Sequence, residues 1–318
     1  MKKLINNPEQ VVDEMLDGII TAHPETLKRL PGLSVLVRKE APIKGKVGLV
    51  SGGGSGHEPA HAGFVGEHLL DAAVAGEVFT SPTPDQIFEA IKAVDGGEGV
   101  LLIVKNYSGD VMNFDMAAEM AQAEGIEVEQ VIVRDDTAVE NKEDRRGVAG
   151  TIFVHKIAGQ AASEGKSLKE VAQIAQHAIK NLRSMGVSLS PSTVPASGQP
   201  GFTLKEDEIQ IGTGIHGEQG MERTSLKPAD QITEEIMKNI LNELQFVPGE
   251  EAAVITNGLG STPLMELYIV HRKVAALLES KNIQLKKSLV GEYMTSLEMA
   301  GCSITVLKLD KDLKTYLN

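Results

Sequence analysis

The sequence is poor in aromatic residues and has a single cysteine. Aromatic residues make up 3% of the 318 positions, and tryptophan is absent. Single-stranded nucleic acids bind largely by stacking their bases on aromatic rings, so this composition argues against such a partner. Cys302 alone cannot form an intramolecular disulfide or a cysteine-rich zinc site. The absence of a disulfide framework predicts an intracellular protein.

Basic charge and long apolar runs are also scarce. The chain has 31 Lys and Arg against 44 Asp and Glu, which gives a formal net charge of −13. Such a surface repels phosphate backbones and anionic lipids. No apolar stretch approaches the roughly 20 residues that span a bilayer, and acidic residues follow the two N-terminal lysines where a signal peptide would be apolar. We therefore expect a cytoplasmic protein with neither nucleic acid nor membrane as a partner.

Short apolar segments alternate with amphipathic ones along the chain. Strands are predicted at 46–50, 100–105, 128–133, 208–211, 252–256 and 303–309, and helices at 11–20, 85–94, 114–123, 168–185, 232–244 and 263–279. The run Val100–Lys105 is apolar until its last residue, which is typical of a strand covered on both faces. The alternation predicts an α/β protein, with a largely parallel N-terminal sheet flanked by helices and a C-terminal α/β domain.

One segment interrupts this alternation. Residues 187–201 are dominated by Ser, Pro and Gly and have neither a helical nor a strand period. We place a domain boundary here. The predicted domains are residues 1–186, with the glycine-rich segment described next, and residues 187–318.

The first predicted strand is expected to enter a loop with four glycines, in the sequence Ser-Gly-Gly-Gly-Ser-Gly-His-Glu-Pro at 51–59. A backbone rich in glycine can approach a ligand closely and turn its amides toward it. No Gly-Lys-Ser/Thr follows, so this is not a phosphate-binding Walker loop. A tight strand-to-helix turn explains the composition equally well. The position of His57 at a strand end, where ligands bind in α/β sheets, favours a ligand site.

A second polar segment, Lys105-Asn-Tyr-Ser-Gly-Asp110, ends the next buried strand. The carboxyl ends of parallel strands lie at one edge of a sheet, so Lys105 and Asp110 are expected to face the same crevice as the glycines. Asp110 is a candidate general base or hydroxyl-orienting group. Alternatively, Asp110 or Asn106 caps the helix predicted to begin near Phe114.

The third segment places His216 among four glycines, in Gly212-Thr-Gly-Ile-His-Gly-Glu-Gln-Gly220. Its first six residues match the dinucleotide pattern G-x-G-x-x-G. That pattern must open a helix in an early βαβ unit, whereas this one lies late in the chain and no apolar helical period follows it. We therefore reject a dinucleotide site. What remains is a histidine in a glycine-rich loop, with Glu218 as a candidate orienting carboxylate.

Five segments together resemble the substrate domain of dihydroxyacetone kinases. They lie in the same order and cover nearly the whole chain: 51–64 (SGGGSGHEPAHAGF), 76–82 (GEVFTSP), 106–110 (NYSGD), 145–151 (RRGVAGT) and 214–218 (GIHGE). At one position the chain departs from the family pattern, since Gln219 stands where proline is expected.

The resemblance implies a phosphotransferase that holds its substrate covalently. His216 would add to the ketone carbon of dihydroxyacetone and give a hemiaminal, which glycerol cannot form because it has no carbonyl. His57, Asp110 and His216 would be the catalytic residues. The substrate-binding residues would be Gly53, Gly54, Ser55, Gly56, His57, Lys105, Asp110 and His216. Asp110 would accept the proton of the attacking hydroxyl, with His57 orienting it or sharing that role.

The resemblance also predicts partners. ATP-dependent relatives have a further nucleotide-binding domain, and the sequence to Asn318 has no Walker loop. We therefore expect no cofactor on this chain, and we expect ADP and magnesium on a separate nucleotide-binding kinase subunit. In bacteria that subunit is typically recharged from phosphoenolpyruvate by the phosphocarrier subunit of the phosphotransferase system. A homodimer is expected by analogy.

Two other functions are compatible with the sequence. Some relatives of this domain bind dihydroxyacetone without catalysis and regulate a transcription factor, and they lack parts of the catalytic set. The presence of His57, Asp110 and His216 together favours the enzyme. A lipid- or sugar-binding module that shares only the fold is the other alternative, and it predicts no covalent adduct on His216.

Overall fold

The first of two sheets is built from strands whose side chains are largely buried on both faces. The computed structural model describes residues 2–317. The strands of this sheet are β1 (Leu27–Arg29), β2 (Val35–Arg38), β3 (Gly48–Ser55), β4 (Ala72–Val78), β5 (Val100–Lys105) and β6 (Val128–Val133). Their order is β1-β2-β4-β3-β5-β6, with β4, β3, β5 and β6 parallel. The carboxyl ends of β3 and β5 therefore lie side by side.

Five helices accompany this sheet in the described chain. They are α1 (Val11–Ala22), α2 (Pro84–Val94), α3 (Ser108–Ala123), α4 (Thr151–Ser163) and α5 (Leu168–Lys180). Pro84 occupies the first turn of α2, where its missing N–H costs nothing, and Ser167 and Glu170 form a capping box at the start of α5. Helices α4 and α5 contribute to one hydrophobic core that contains Leu101 of the first sheet and Ile255 of the second.

The second sheet is mixed and mainly antiparallel. Its strands are β7 (Leu182–Ser188), β8 (Glu208–Ile211), β9 (Glu222–Ser225), β10 (Glu251–Gly258), β11 (Gln284–Gly291) and β12 (Gly301–Leu309). They lie in the order β11-β10-β12-β7-β8-β9, and within the described residues β10–β11 is the one parallel pair of this second sheet. The helices are α6 (Ala229–Leu244), α7 (Leu264–Ser280) and α8 (Lys311–Tyr316).

The predicted α/β class with two α/β parts is confirmed. The predicted boundary between 186 and 187 falls inside β7, whose residues pair with β12 of the second sheet, and the boundary itself stays a prediction. The helix expected at 168–185 is too long, since α5 ends at Lys180 and residues 182–188 are β7. Within residues 2–317 no helix is both long and apolar enough to cross a membrane.

Two further corrections concern the segments expected to carry chemistry. The glycines after residue 50 are not a loop, because β3 continues to Ser55 and pairs with β4 along its length. The helix expected at 114–123 begins earlier, at Ser108, so that Asp110 lies in its first turn. Both differences bring the polar residues closer to regular, rigid elements than the sequence indicated.

Candidate active site

The glycines of β3 allow other groups to pack directly against the strand. Gly53 has a φ of +154°, and a Cβ placed on it would lie 2.5 Å from Lys105 Nζ. A Cβ on Gly54 would lie 2.6 Å from the backbone nitrogen of Thr80 and 2.8 Å from Phe79 Cα. Gly54 requires glycine because a Cβ there would meet backbone atoms, and Gly53 favours glycine because its φ is positive. The strand end is a close-packed surface against which a lysine and a phenylalanine lie.

Lys105 and Asp110 meet at this surface and are almost completely buried. Lys105 is the last residue of β5, and its Nζ lies 3.5 Å from Oδ2 of Asp110. The Ser81 hydroxyl donates a hydrogen bond to Oδ1 of Asp110. The alternative role as a helix cap is wrong for both candidates, because α3 has no side-chain cap and the Asn106 amide donates to the carbonyls of Glu143 and Arg145. The Asp110 carboxylate therefore has the lysine and serine as partners.

His57 is fully buried and neutral. Its Nδ1 lies 2.8 Å from the carbonyl oxygen of Thr295, which can only accept, so Nδ1 holds the proton and Nε2 a lone pair. Nε2 has no hydrogen-bond partner among residues 2–317. Burial, reinforced by the charges of His216 and Lys105, lowers the pKa of His57 well below its ordinary value. The ring stacks on Phe79 with centroids 5.1 Å apart.

His216 comes from the second half of the chain and completes the cluster. It lies in the segment 212–220 after β8, which we call the His216 loop. Its ring contacts those of Tyr107, His57 and Phe79 edge-on, with centroids 4.6, 4.7 and 5.2 Å apart. Nδ1 of His216 lies 2.9 Å from Oε1 of Glu218. A carboxylate can only accept, so Nδ1 donates, and in the neutral ring the other nitrogen, Nε2, has the lone pair.

Glu218 holds the His216 loop through both carboxylate oxygens. Oε2 accepts the backbone N–H of His216 at 2.9 Å, while Oε1 accepts from its ring. Burial raises the pKa of Glu218, but the hydrogen bond from His216 and the charges of His216 and Arg146 outweigh it and lower the pKa to about 2. The carboxylate is thus ionised at neutral pH. The orienting role expected for Glu218 matches this geometry.

A second pair of buried histidines lies behind the first. His61 Nδ1 is 3.4 Å from the Ser51 hydroxyl, and the ring of His155 is 5.3 Å from that of His61. Neither nitrogen of His155 has a hydrogen-bond partner within the described chain. Burial, with the charge of Lys105, lowers the pKa of His155 to about 3. Burial, with the charge of Lys105, also lowers the pKa of His61 well below its ordinary value, so both imidazoles are neutral at pH 7.

The structure brings most of the predicted site residues together. Gly53, Gly54, His57, Lys105 and Asp110 form one side of the site, which we call the floor, and His216 lies against it. Ser55 does not direct its hydroxyl toward the site, because it donates to the carbonyl of Gly76. The N–H of Gly56 lies within 3.1 Å of both carboxylate oxygens of Glu58. Their substrate-binding roles stay predictions.

Sequence reasoning missed several residues that shape the site. Phe79 and Ser81 lie in the segment 76–82 and Arg146 in the segment 145–151, so the resemblance marked their segments without assigning them a role. Tyr107 lies between Lys105 and Asp110 and contacts His216. Thr295 is 238 residues away from His57 along the chain, and no local pattern indicated the contact.

These features define an α/β protein with a histidine-lined candidate ligand site at the carboxyl ends of parallel strands. The chain belongs to the Dak1 family, since the Dak1 domain matches residues 17–318. It is 52% identical, over 98% of its length and 95% of the relative's, to the dihydroxyacetone-binding subunit of dihydroxyacetone kinase 1 of Listeria innocua, which is dependent on the phosphotransferase system (PTS). The expected family resemblance is confirmed.

Two solved structures extend the comparison. A dihydroxyacetone kinase operon co-activator, Dha-DhaQ, superposes with a TM-score of 0.91 at 39% identity, covering 96% of this chain and 95% of its own. The dihydroxyacetone kinase of C. freundii, in complex with AMP-PNP and Mg²⁺, has a TM-score of 0.91 at 38% identity. The match covers 99% of this chain and 59% of the C. freundii chain. The kinases among these relatives are phosphotransferases that act on an alcohol group, as the predicted enzyme class requires.

Proposed function

We propose that this chain is the dihydroxyacetone-binding subunit of a PTS-dependent dihydroxyacetone kinase. The observation that carries the proposal is the pair of imidazoles in contact at the strand ends, each with its Nδ1 hydrogen-bonded to an acceptor. His216 has Nδ1 committed to Glu218, and His57 has Nδ1 committed to Thr295. In its neutral form each ring presents Nε2 with a lone pair, one for attack on carbon and one for accepting a hydroxyl proton.

Covalent capture would use the neutral form of His216. Nε2 attacks the ketone carbon, a C–N bond forms, and the carbonyl π bond becomes an O–H bond. The oxygen gains one proton and the imidazole gives up the one that Nδ1 shares with Glu218, so the hemiaminal is neutral. Hydroxyl contacts alone distinguish glycerol from the ketose poorly, whereas this bond requires a carbonyl.

Phosphoryl transfer would then use the floor. The Asp110 carboxylate accepts the proton of the terminal hydroxyl as its oxygen attacks phosphorus, and the bond from that phosphorus to the ADP oxygen breaks. The Lys105 ammonium lies 3.5 Å from Asp110 and is placed to compensate negative charge near the attacking oxygen. His57 is the second candidate for the proton acceptor, because its Nε2 is buried and unprotonated.

The donor subunit needs access to this site, and a groove beside it provides a surface. The groove has a volume of about 710 Å³ and is lined by Asn106, Tyr107, Ser108, Val111, Met112, Asp115, Met116, Glu119, Glu143, Asp144, Arg146 and Glu218. Acidic residues outnumber basic ones there, and Met112 and Met116 are exposed. We place a basic, partly apolar face of the nucleotide-binding subunit in this groove, with ADP and magnesium on that subunit. The phosphocarrier subunit would recharge it, and the homodimer stays a prediction that sedimentation tests.

Intact mass spectrometry and a transfer assay test the proposal. Purified chain incubated with dihydroxyacetone should gain the mass of one ketose, and glycerol should add nothing. His216→Gln should abolish the adduct, whereas His177→Gln should retain it, because His177 is paired with Asp310 on the surface. Transfer is measured with a phosphorylated, ADP-loaded partner whose activity is confirmed on a related subunit.

The co-activator function is the second candidate, favoured by the TM-score of 0.91 to Dha-DhaQ. It predicts binding of the ketose without transfer to it. An adduct on His216 together with no product from a partner of proven activity would replace the kinase proposal by this one. The absence of any adduct would contradict covalent capture.

A further inference from the structure

Two adjacent arginines in the segment 145–151 have no part in the chemistry proposed above. Arg145 and Arg146 are both largely buried and both pair with carboxylates, but with different ones. Arg145 pairs with Glu243 of α6 and donates from Nε to the Val139 carbonyl. Arg146 extends toward the His216 loop instead. A buried charge is costly unless it is paired and hydrogen-bonded, so each arginine needs the partners it has.

Arg146 connects the end of β6 with the His216 loop. Its Nε and Nη2 lie 2.8 and 2.6 Å from Oδ2 of Asp136. Nη2 also donates to the carbonyl of Gly212, at 2.8 Å. Asp136 is itself fixed, because its Oδ1 accepts the N–H of Ala138 at 2.9 Å. The guanidinium is therefore held on one side by the first half of the chain and holds the first residue of the loop on the other.

The same guanidinium approaches Glu218 at the backbone of Gly214. A Cβ on Gly214 would lie 2.8 Å from Arg146 Nη1 and would also collide with Oε2 of Glu218. The two side chains thus converge on one small volume that only glycine leaves open. The positive charge of Arg146 is one of the causes that keep the pKa of Glu218 low. It stabilises the ionised carboxylate that accepts the Nδ1 proton of His216.

We propose that Arg146 is a positioning residue for His216: it anchors the His216 loop at Gly212 and stabilises the Glu218 carboxylate, so that Nδ1 of His216 keeps its proton and Nε2 faces the ketose. The orientation of the imidazole follows from the contacts alone. The consequence for ketose capture rests on the proposed function, so the two are tested with separate measurements.

Nitrogen-15 NMR of the histidine rings, without substrate, tests the orientation. The parent should show the Nδ1–H tautomer for His216, assigned with His216→Gln. Arg146→Met should reduce its population, whereas the matched control Arg145→Met should leave it unchanged, although each removes one buried charge. An unchanged tautomer in Arg146→Met would overturn the inference, whether or not the ketose binds covalently.

Adduct formation measured against pH tests the consequence. Arg146→Met removes a positive charge beside the His216–Glu218 pair and makes that pair easier to protonate. The lower pH limit of adduct formation should therefore shift upward, and affinity at pH 7 should fall about 10- to 100-fold, the loss typical when a partner that orients a metal-ligating side chain is removed. Added guanidinium should restore part of the loss in Arg146→Ala. An unchanged pH profile, or equal losses in Arg145→Met, would reduce Arg146 to a structural residue.

Arg146→Lys keeps the test decisive if the methionine variant does not fold. Lysine keeps the charge beside Asp136, but its single ammonium group cannot also hold the Gly212 carbonyl. The tautomer should be largely retained, while adduct affinity should fall about tenfold because the loop is less restrained. Parental affinity in this variant would contradict the anchoring role. If the parent itself forms no adduct, covalent capture fails, and the tautomer measurement still decides the role of Arg146.

Discussion

The floor and the His216 loop hold their functional groups by different forces. Lys105 and His57 are 0% exposed and Asp110 is 2% exposed, and a Cβ on Gly53 or Gly54 would clash with atoms of the chain. The side chain of His216, in contrast, is 19% exposed, and Glu218 and Arg146 restrain its loop through charge. The floor should therefore tolerate no added atoms, and the loop should respond to the loss of a charge.

The largest expected effect comes from Asp110 of the floor, because the floor is proposed to serve phosphoryl transfer and the His216 loop to serve ketose capture. Asp110→Asn keeps the shape of the side chain but cannot accept a proton. Transfer to dihydroxyacetone should fall about 10²- to 10⁴-fold, with the His216 adduct retained. The transfer rate is measured with the donor subunit, and the adduct is measured by intact mass spectrometry. Asp85→Asn, an exposed first-turn aspartate of α2, is the control. Transfer at the parental rate would assign the proton acceptor to His57 instead.

A smaller effect is expected from one added methyl group in the floor. Gly54→Ala must displace the backbone at Phe79 and Thr80, and Phe79 stacks on His57. Overpacking of this kind costs about 1–3 kcal/mol, so the free energy of unfolding should fall by that amount and ketose affinity with it. Urea unfolding and ketose titration check this. In Gly66→Ala the new Cβ has no neighbour within 4 Å in the described chain, and both quantities should stay parental. Parental stability in Gly54→Ala would show that the floor can adapt.

The sequence predicted the floor better than the loop, for a physical reason. Continuous apolar runs identify buried parallel strands, and β5 and β6 have the predicted bounds. The rule that ligands bind at strand ends then placed Lys105 and Asp110 together. The segment 72–78 was missed as β4 because its small residues have no clear period. The strand β11 was also missed, because its side chains are exposed or half-buried and it has no continuous apolar run.

The His216 loop depends on contacts between distant parts of the chain. The pairing of Arg146 with Gly212 in this loop joins residues 66 apart, and in the floor the pairing of His57 with Thr295 joins residues 238 apart. Local periodicity contains no information about either. The glycines were predicted as a loop because composition cannot show that β4 and β5 pair with β3 on both sides. The resemblance supplied the role of His216, and the structure added the groups that hold it.

Acid should affect the floor and the His216 loop differently, because their titratable groups change protonation in different pH ranges. His155, behind the floor, has its pKa lowered to about 3 by burial and the charge of Lys105, against 6.5 when unfolded. Below pH 6.5 the unfolded chain binds the proton and the folded chain does not, so the free energy of unfolding decreases as the pH is lowered. From this residue alone the decrease is about 2 kcal/mol at pH 5. Glu218 has a pKa of about 2 against 4.5, so its contribution is lost only below pH 4.5.

His155→Phe should therefore remove about 2 kcal/mol of the loss of unfolding free energy between pH 7 and pH 5, because phenylalanine keeps the ring and cannot be protonated. Urea unfolding at the two pH values measures this loss, with His23→Phe as the control because His23 is exposed. The same acid sensitivity in His155→Phe and the parent would mean that His155 is hydrogen-bonded or hydrated in solution. Retention of the hydrogen bond from His216 Nδ1 to Glu218 down to pH 5, while the chain loses stability, would show that charge holds the loop independently of the packing that holds the floor.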